Sequence, residues 1–224
     1  MKTKMKINDT KISKANKQQL VKIINILTFI LPCFIILNGC KQDASTTATH
    51  TANHPWKLIC IGDGITAGVG LDPDFAYPAL LEKDYLKEGS TDVKVVNAGI
   101  KGETIQGIDQ RIEWMLQQRF NAILLSLGSK ELTKESFSFW ENCFKKIRLT
   151  NPEATILVGI VSQTQTITDI KSYFSPLIID YDVELIDLQL LENNATWWQT
   201  DMLYPSKEGQ RVLADILFKY LKNK

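Results

Sequence analysis

The sequence predicts an α/β protein, a three-layer α/β/α sandwich built on a five-stranded parallel sheet. Three observations carry this. Five short, nearly continuous Ile/Leu/Val runs punctuate the chain after residue 55, as expected of strands buried on both faces. Amphipathic segments of helical period separate them, so strand and helix alternate and the strands pair in parallel through crossover helices. About 170 residues carry the alternation, enough for one well-buried domain and too few for two ordinary ones.

The first run, Trp56–Gly62, is a strand that turns at Asp63-Gly64, where Asp63 is placed to cap a helix. A helix is expected over Tyr77–Lys87 and a second strand over Val93–Gly99. Helix Thr104–Arg119 leads to strand Ala122–Gly128, and helix Lys134–Leu149 to strand Thr155–Val161. Helix Asp169–Ile179 precedes the fifth strand, Val183–Leu188. Tyr204-Pro205-Ser206 supplies a stop and a serine N-cap for the last helix, Lys207–Lys222, whose dipole Lys219, Lys222 and Lys224 complement. This order gives a flavodoxin-like sheet, whose sites lie at the carboxyl ends of the strands. Those ends are Gly62 to Gly64, Gly99 to Gly102, Gly128 to Glu131, and the loop before the last helix. The unusual stretches of the chain therefore share one rim.

Residues 1–39 read as an export signal. Seven lysines and one aspartate fill Met1–Lys22, and an uncharged apolar run spans Ile23–Leu37. Leu37-Asn38-Gly39-Cys40 resembles a bacterial lipobox, which makes Cys40 the lipidated first residue of a membrane-anchored lipoprotein. An uncleaved anchor is the alternative; the run is short for a span and Pro32 interrupts it. Residues 40–55, rich in Thr, Ala and Ser, form a flexible tether, and 56–224 form the domain. Lys41 is not the aspartate that retains lipoproteins at an inner membrane. In a cell with two membranes the expected place is therefore the outer one, facing the periplasm.

Subtracting the +6 of residues 1–22 from the whole-chain +1 leaves −5. No basic stripe or aromatic-interleaved basic motif remains, so no nucleic-acid partner is expected. Cys60 and Cys143 are expected to be buried apolar residues, a disulfide between them being the alternative. No cofactor is implied. No metal-ligand spacing exists, and the only histidines, His50 and His54, precede the first strand.

Four strings at the strand ends resemble, in order and spacing, the motif blocks of the SGNH/GDSL hydrolases, most closely the bacterial thioesterase I/lysophospholipase/arylesterase branch. They are Gly62-Asp63-Gly64-Ile65-Thr66-Ala67-Gly68; Asn97-Ala98-Gly99-Ile100-Lys101-Gly102-Glu103-Thr104; Leu127-Gly128-Ser129-Lys130-Glu131; and Trp198 to Pro205. Ala76-Tyr77-Pro78-Ala79-Leu80-Leu81 also resembles that branch's first helix. The resemblance implies the SGNH hydrolase fold over essentially the whole domain.

Aligned on those blocks, the residues depart from the family where its chemistry lies. Gly64 stands where the nucleophilic serine is expected, Lys130 where an oxyanion-binding asparagine is, and Tyr204 where the base is. Gly102 and Asp201 match. A glycine forms no acyl-enzyme, and a phenol of ordinary pKa near 10 is a poor base at neutral pH. A Ser–His–Asp relay also needs an imidazole, which this domain lacks. Asp63, Gly64, Gly102 and Lys130 are the candidate ligand-binding residues, suited to a small anion. Trp197-Trp198 cover the core or line a groove for an acyl chain or glycan.

Tyr204 is expected to fill the place of the imidazole and bond Asp201, while Lys130 has Glu131 and Asp201 as alternative partners. Thr66 and a Ser129–Lys130 pair are the remaining conceivable nucleophiles. Three functions stay open: a non-catalytic lipoprotein binding a ligand or an envelope protein at the old rim, an ester or thioester hydrolase with a non-standard site, and a structural envelope lipoprotein.

Overall fold

The computed structural model describes residues 55–89, 92–161, 166–188 and 194–223. The expected export signal, the expected lipidation site at Cys40, the expected tether and both histidines lie outside the described residues, apart from Pro55 at the end of that tether.

Five strands form one parallel sheet in the order β2-β1-β3-β4-β5. They are β1 (Trp56–Gly62), β2 (Val93–Gly99), β3 (Ala122–Gly128), β4 (Thr155–Val161) and β5 (Val183–Asp187). The register sets Gly62 beside Gly99 on one side and Ser126 on the other. Among the described residues six α-helices accompany them: α1 (Gly64–Ala67), α2 (Tyr77–Lys87), α3 (Ile105–Met115), α4 (Phe137–Thr150), α5 (Ile167–Tyr181) and α6 (Lys207–Lys222).

Strand periodicity sorts the side chains into two cores. Along β1, Ile59 and Ile61 join the core under α3, α4 and α5, whereas Leu58 and Cys60 join the core under α2 and α6. Trp140, wholly buried, packs edge-on against Phe174 at 4.9 Å in the first core. Cys143 belongs to that core and Cys60 to the other, so the sheet separates them and both are free thiols. Burial pushes the Cys60 thiol up to about 12 and the Cys143 thiol higher still.

Of the helix ends that differ from expectation by a residue or more, three have a local reason. α3 stops at Met115 rather than Arg119, its last turn closing as Leu116 N–H donates to Ile112. α4 begins at Phe137 rather than Lys134 because Thr133 and Ser136 bond each other's backbone N–H groups in a turn of their own. α5 begins at Ile167, two residues before Asp169, because Thr166 and Asp169 form a reciprocal capping box.

The chain leaves β1 for one edge of the sheet, β2, and then returns to β3 on the other side of β1. The switch point therefore lies between the carboxyl ends of β1 and β3, where such sheets open a crevice.

Candidate functional site

The crevice begins where β1 runs against β3. A Cβ built on Gly62 would lie 2.1 Å from the Ser126 carbonyl oxygen, so the backbone approaches too closely for a side chain. Asp63 follows in extended conformation and caps α1, accepting from Ile65 N–H at 3.0 Å and from Gly128 N–H at 3.3 Å. One carboxylate thus ties the ends of β1 and β3 together. Burial pushes its pKa above the ordinary carboxylate range, with the Glu131 charge adding to the rise. The two backbone donors and the Lys130 charge act against it.

Gly64 is buried at the start of the single turn α1. A Cβ there would lie 2.3 Å from Cε1 of Tyr204, so the tyrosine ring occupies the space a side chain would need. Thr66 is fully buried two positions on, its hydroxyl 3.1 Å from the Tyr77 hydroxyl, which removes it as a nucleophile.

The β2 end contributes Gly102, with a left-handed φ of +77°. The β3 end contributes the 3-10 turn Ser129–Glu131. Here neighbouring charges part company. Glu131 is buried and its carboxylate accepts from Ile105 N–H at 3.0 Å, capping α3, while Lys130 is exposed. Neither Glu131 nor Asp201 pairs with Lys130. Among the described residues its ammonium has no hydrogen-bond or ion-pair partner.

The loop before α6 closes the fourth side. Trp198 bridges Pro205, Gln199 N–H donates to the Tyr204 carbonyl, and the Gln199 side chain donates to the Val69 carbonyl at 2.6 Å. The loop is thereby pinned to the segment following α1. Met202, at φ +57°, turns the chain so that Met202, Leu203 and Tyr204 all face the crevice.

The result is a cleft of about 430 Å³. Asp63, Gly64, Gly102, Lys130 and Tyr204 line it together with Ser129, Trp198, Met202 and Leu203, and Ile65, Gly128 and Val161 complete the wall. Asp201 does not join them. It borders an adjoining depression with Gln199 and Thr200, and its carboxylate accepts from Leu203 N–H at 2.9 Å. The expected Tyr204–Asp201 hydrogen bond is therefore not made, because Asp201 is consumed by its own turn. Sequence reasoning also missed Met202, Leu203 and Val161 as lining; two large apolar residues in an otherwise polar loop were the available signal.

Chemically the cleft offers a cation, a phenol, one serine hydroxyl and a buried carboxyl group. No imidazole occurs among the described residues, nor any cluster of three or more His, Cys, Asp or Glu side chains placed to hold a metal ion.

Comparison with known proteins places this geometry. The thioesterase 1/protease 1/lysophospholipase L1 of Escherichia coli is 25% identical over 88% of this chain and 94% of its own. The esterase TesA of Pseudomonas aeruginosa is 34% identical over 43% of this chain, and the match spans about half of that esterase, 47%. Among solved structures, the psychrotrophic esterase EstA of Pseudoalteromonas superposes with a TM-score of 0.65 at 23% identity, covering 75% of this chain and 97% of that one. That likeness establishes the SGNH hydrolase fold. Residues 60–212, the greater part of the chain and every strand-end block in it, match the GDSL-like Lipase/Acylhydrolase family, and the chain belongs to that family.

Proposed function

We propose that this protein is a non-hydrolytic member of its family, which holds a ligand in the cleft without turning it over, and that lipid on Cys40 anchors it at the cell envelope. The observation that carries the reading is the contact between Gly64 and Tyr204. At the position aligned with the family's nucleophile there is no hydroxyl, and an aromatic ring fills the space beside it. Thr66 is buried and engaged, and the domain has no imidazole to accept a proton. Where nucleophile and base act as one unit, losing them costs on the order of a million-fold in rate. The fold, the cleft and the backbone at Gly64 and Gly102 persist nonetheless, which favours retention of binding over a closed, inert rim.

Ester hydrolysis by the purified protein tests the reading, with short-chain aryl esters and lysophospholipid as substrates and the Gly64→Ser/Lys130→Asn/Tyr204→His variant beside it. The expected result is a silent wild type and measurable turnover in the triple variant. Turnover by the wild type that disappears in Ser129→Ala would instead establish a hydrolase with a non-standard site.

A further inference from the structure

Resting on the non-hydrolytic reading, we propose that the cleft's ligand is an aliphatic carboxylic acid, its carboxylate held at Lys130 and its chain laid along Met202 and Leu203. The argument starts from charge. Every carboxylate near the rim is already engaged: Asp63 with Ile65 and Gly128, Glu131 with Ile105, Asp201 with Leu203, and Glu103 with Arg111. Lys130 is the one cation among the side chains lining the cleft, and it stands on the lip of that concave site without a hydrogen-bond or ion-pair partner among the described residues. Tyr204, which lines the same cleft, carries a phenol O–H that likewise has no acceptor among them. A neutral ester makes little use of an ammonium and a phenol donor, whereas a carboxylate accepts from both.

The number of charges narrows the choice. Asp63, itself acidic, lies close enough to Lys130 for each to feel the other's field. A dianionic phosphate would meet one cation and one carboxyl group, whereas a monoanion meets its single counter-charge with less repulsion. The apolar surface argues for a chain behind the headgroup. Leu203 is 66% exposed and Met202 48%, and both line the cleft. Trp198, Ile65 and Val161 continue that surface into the cleft. Its volume lies within the range of small-molecule sites.

Calorimetric titration of the purified protein with sodium decanoate, decanol, acetate and lysophosphatidylcholine tests the proposal. Decanoate is expected to bind, with decanol weaker and acetate undetected. Lys130→Gln, at an exposed position that does not threaten the fold, should weaken decanoate about three- to fivefold and leave decanol unchanged. Leu203→Gln should weaken decanoate and decanol alike. Absence of decanoate binding, or equal affinity in wild type and Lys130→Gln, overturns the proposal. Lysophosphatidylcholine binding more tightly than decanoate overturns it in favour of a phosphodiester headgroup. The two readings fail separately: a protein that hydrolyses esters yet holds decanoate through Lys130 refutes the first, and a silent protein blind to decanoate refutes the second.

Discussion

Two regions a few residues apart are built on opposite rules. Below the cleft lies a buried polar layer in which the Tyr77 hydroxyl meets Thr66, Ser126 and Cys60. In the same layer Gln210 accepts from Tyr77 N–H at 2.8 Å and donates to the Ile65 carbonyl at 2.9 Å. Tyr77, Thr66, Ser126 and Gln210 are all at most 1% exposed. On the lip above, Lys130 is solvated and unpaired and Leu203 and Met202 stand out in water. A buried donor left without its acceptor costs about 1–3 kcal/mol, whereas surface changes away from such features fall within about 0.5 kcal/mol. The difference teaches that the rim tolerates a change of side chain at little cost to the fold, whereas the layer that shapes it does not.

The harshest way to break the lower region is Gly62→Ala. The new methyl would sit 2.1 Å from the Ser126 carbonyl oxygen, and neither strand of a five-stranded sheet yields easily there. Loss of more than about 4 kcal/mol, or failure to fold, is expected on urea denaturation. On the rim, Gly102→Ala meets no atom within 4 Å and suffers only from its left-handed φ, a cost of about 1–2 kcal/mol. Equal losses in the two variants would erase the contrast.

Between the two regions stands the pair Gly64 and Tyr204. Serine restored at 64 alone must displace the Tyr204 ring, so Gly64→Ser is expected to cost about 1–3 kcal/mol and to stay inactive. Tyr204→Ala opens that space. In the double variant the serine should cost clearly less than it does alone, a coupling of about 1 kcal/mol or more. Additive losses would mean that the ring moves aside freely and that glycine and tyrosine are unrelated changes.

Much of this was legible in the sequence because burial writes itself as pattern. The five apolar runs gave the strands to within a residue, and Ser206 and Asp63 announced their caps through residue type alone. The cleft's membership followed from strand ends meeting at a switch point, which is topology rather than side-chain detail. Asp201 did not follow. An aspartate two residues before a backbone N–H in a turn can bond locally, and that competition is invisible when a motif is read as a string. The Gly64–Tyr204 contact was equally hidden, since it joins residues 140 positions apart whose proximity depends on how Gln199 pins the loop. Glu131, which the sequence offered as an alternative partner of Lys130, instead caps α3.

Asp63 belongs to both regions, and its titration sharpens the boundary between them. Its native pKa is raised, chiefly by burial, so over a window above the ordinary carboxylate value of about 4 the native state holds a proton that the unfolded chain has released. Stability from this group is therefore present at acid pH and falls as pH rises through that window, opposite to the surface carboxylate Asp169, whose pKa the Thr166 hydrogen bonds lower. Asp63→Asn cannot ionise and removes the dependence. Denaturation midpoints of wild type and variant, taken from pH 4 to pH 8, should show the wild type's advantage shrinking as pH increases. A widening advantage would mean that the Ile65 and Gly128 donors outweigh burial and stabilise the ionised form. Lys130 tips the same balance from the rim, since its charge favours ionised Asp63 across the cleft. Adding Lys130→Gln should therefore carry the wild-type slope further toward neutral pH, and by only a little, because an exposed ammonium acts through water.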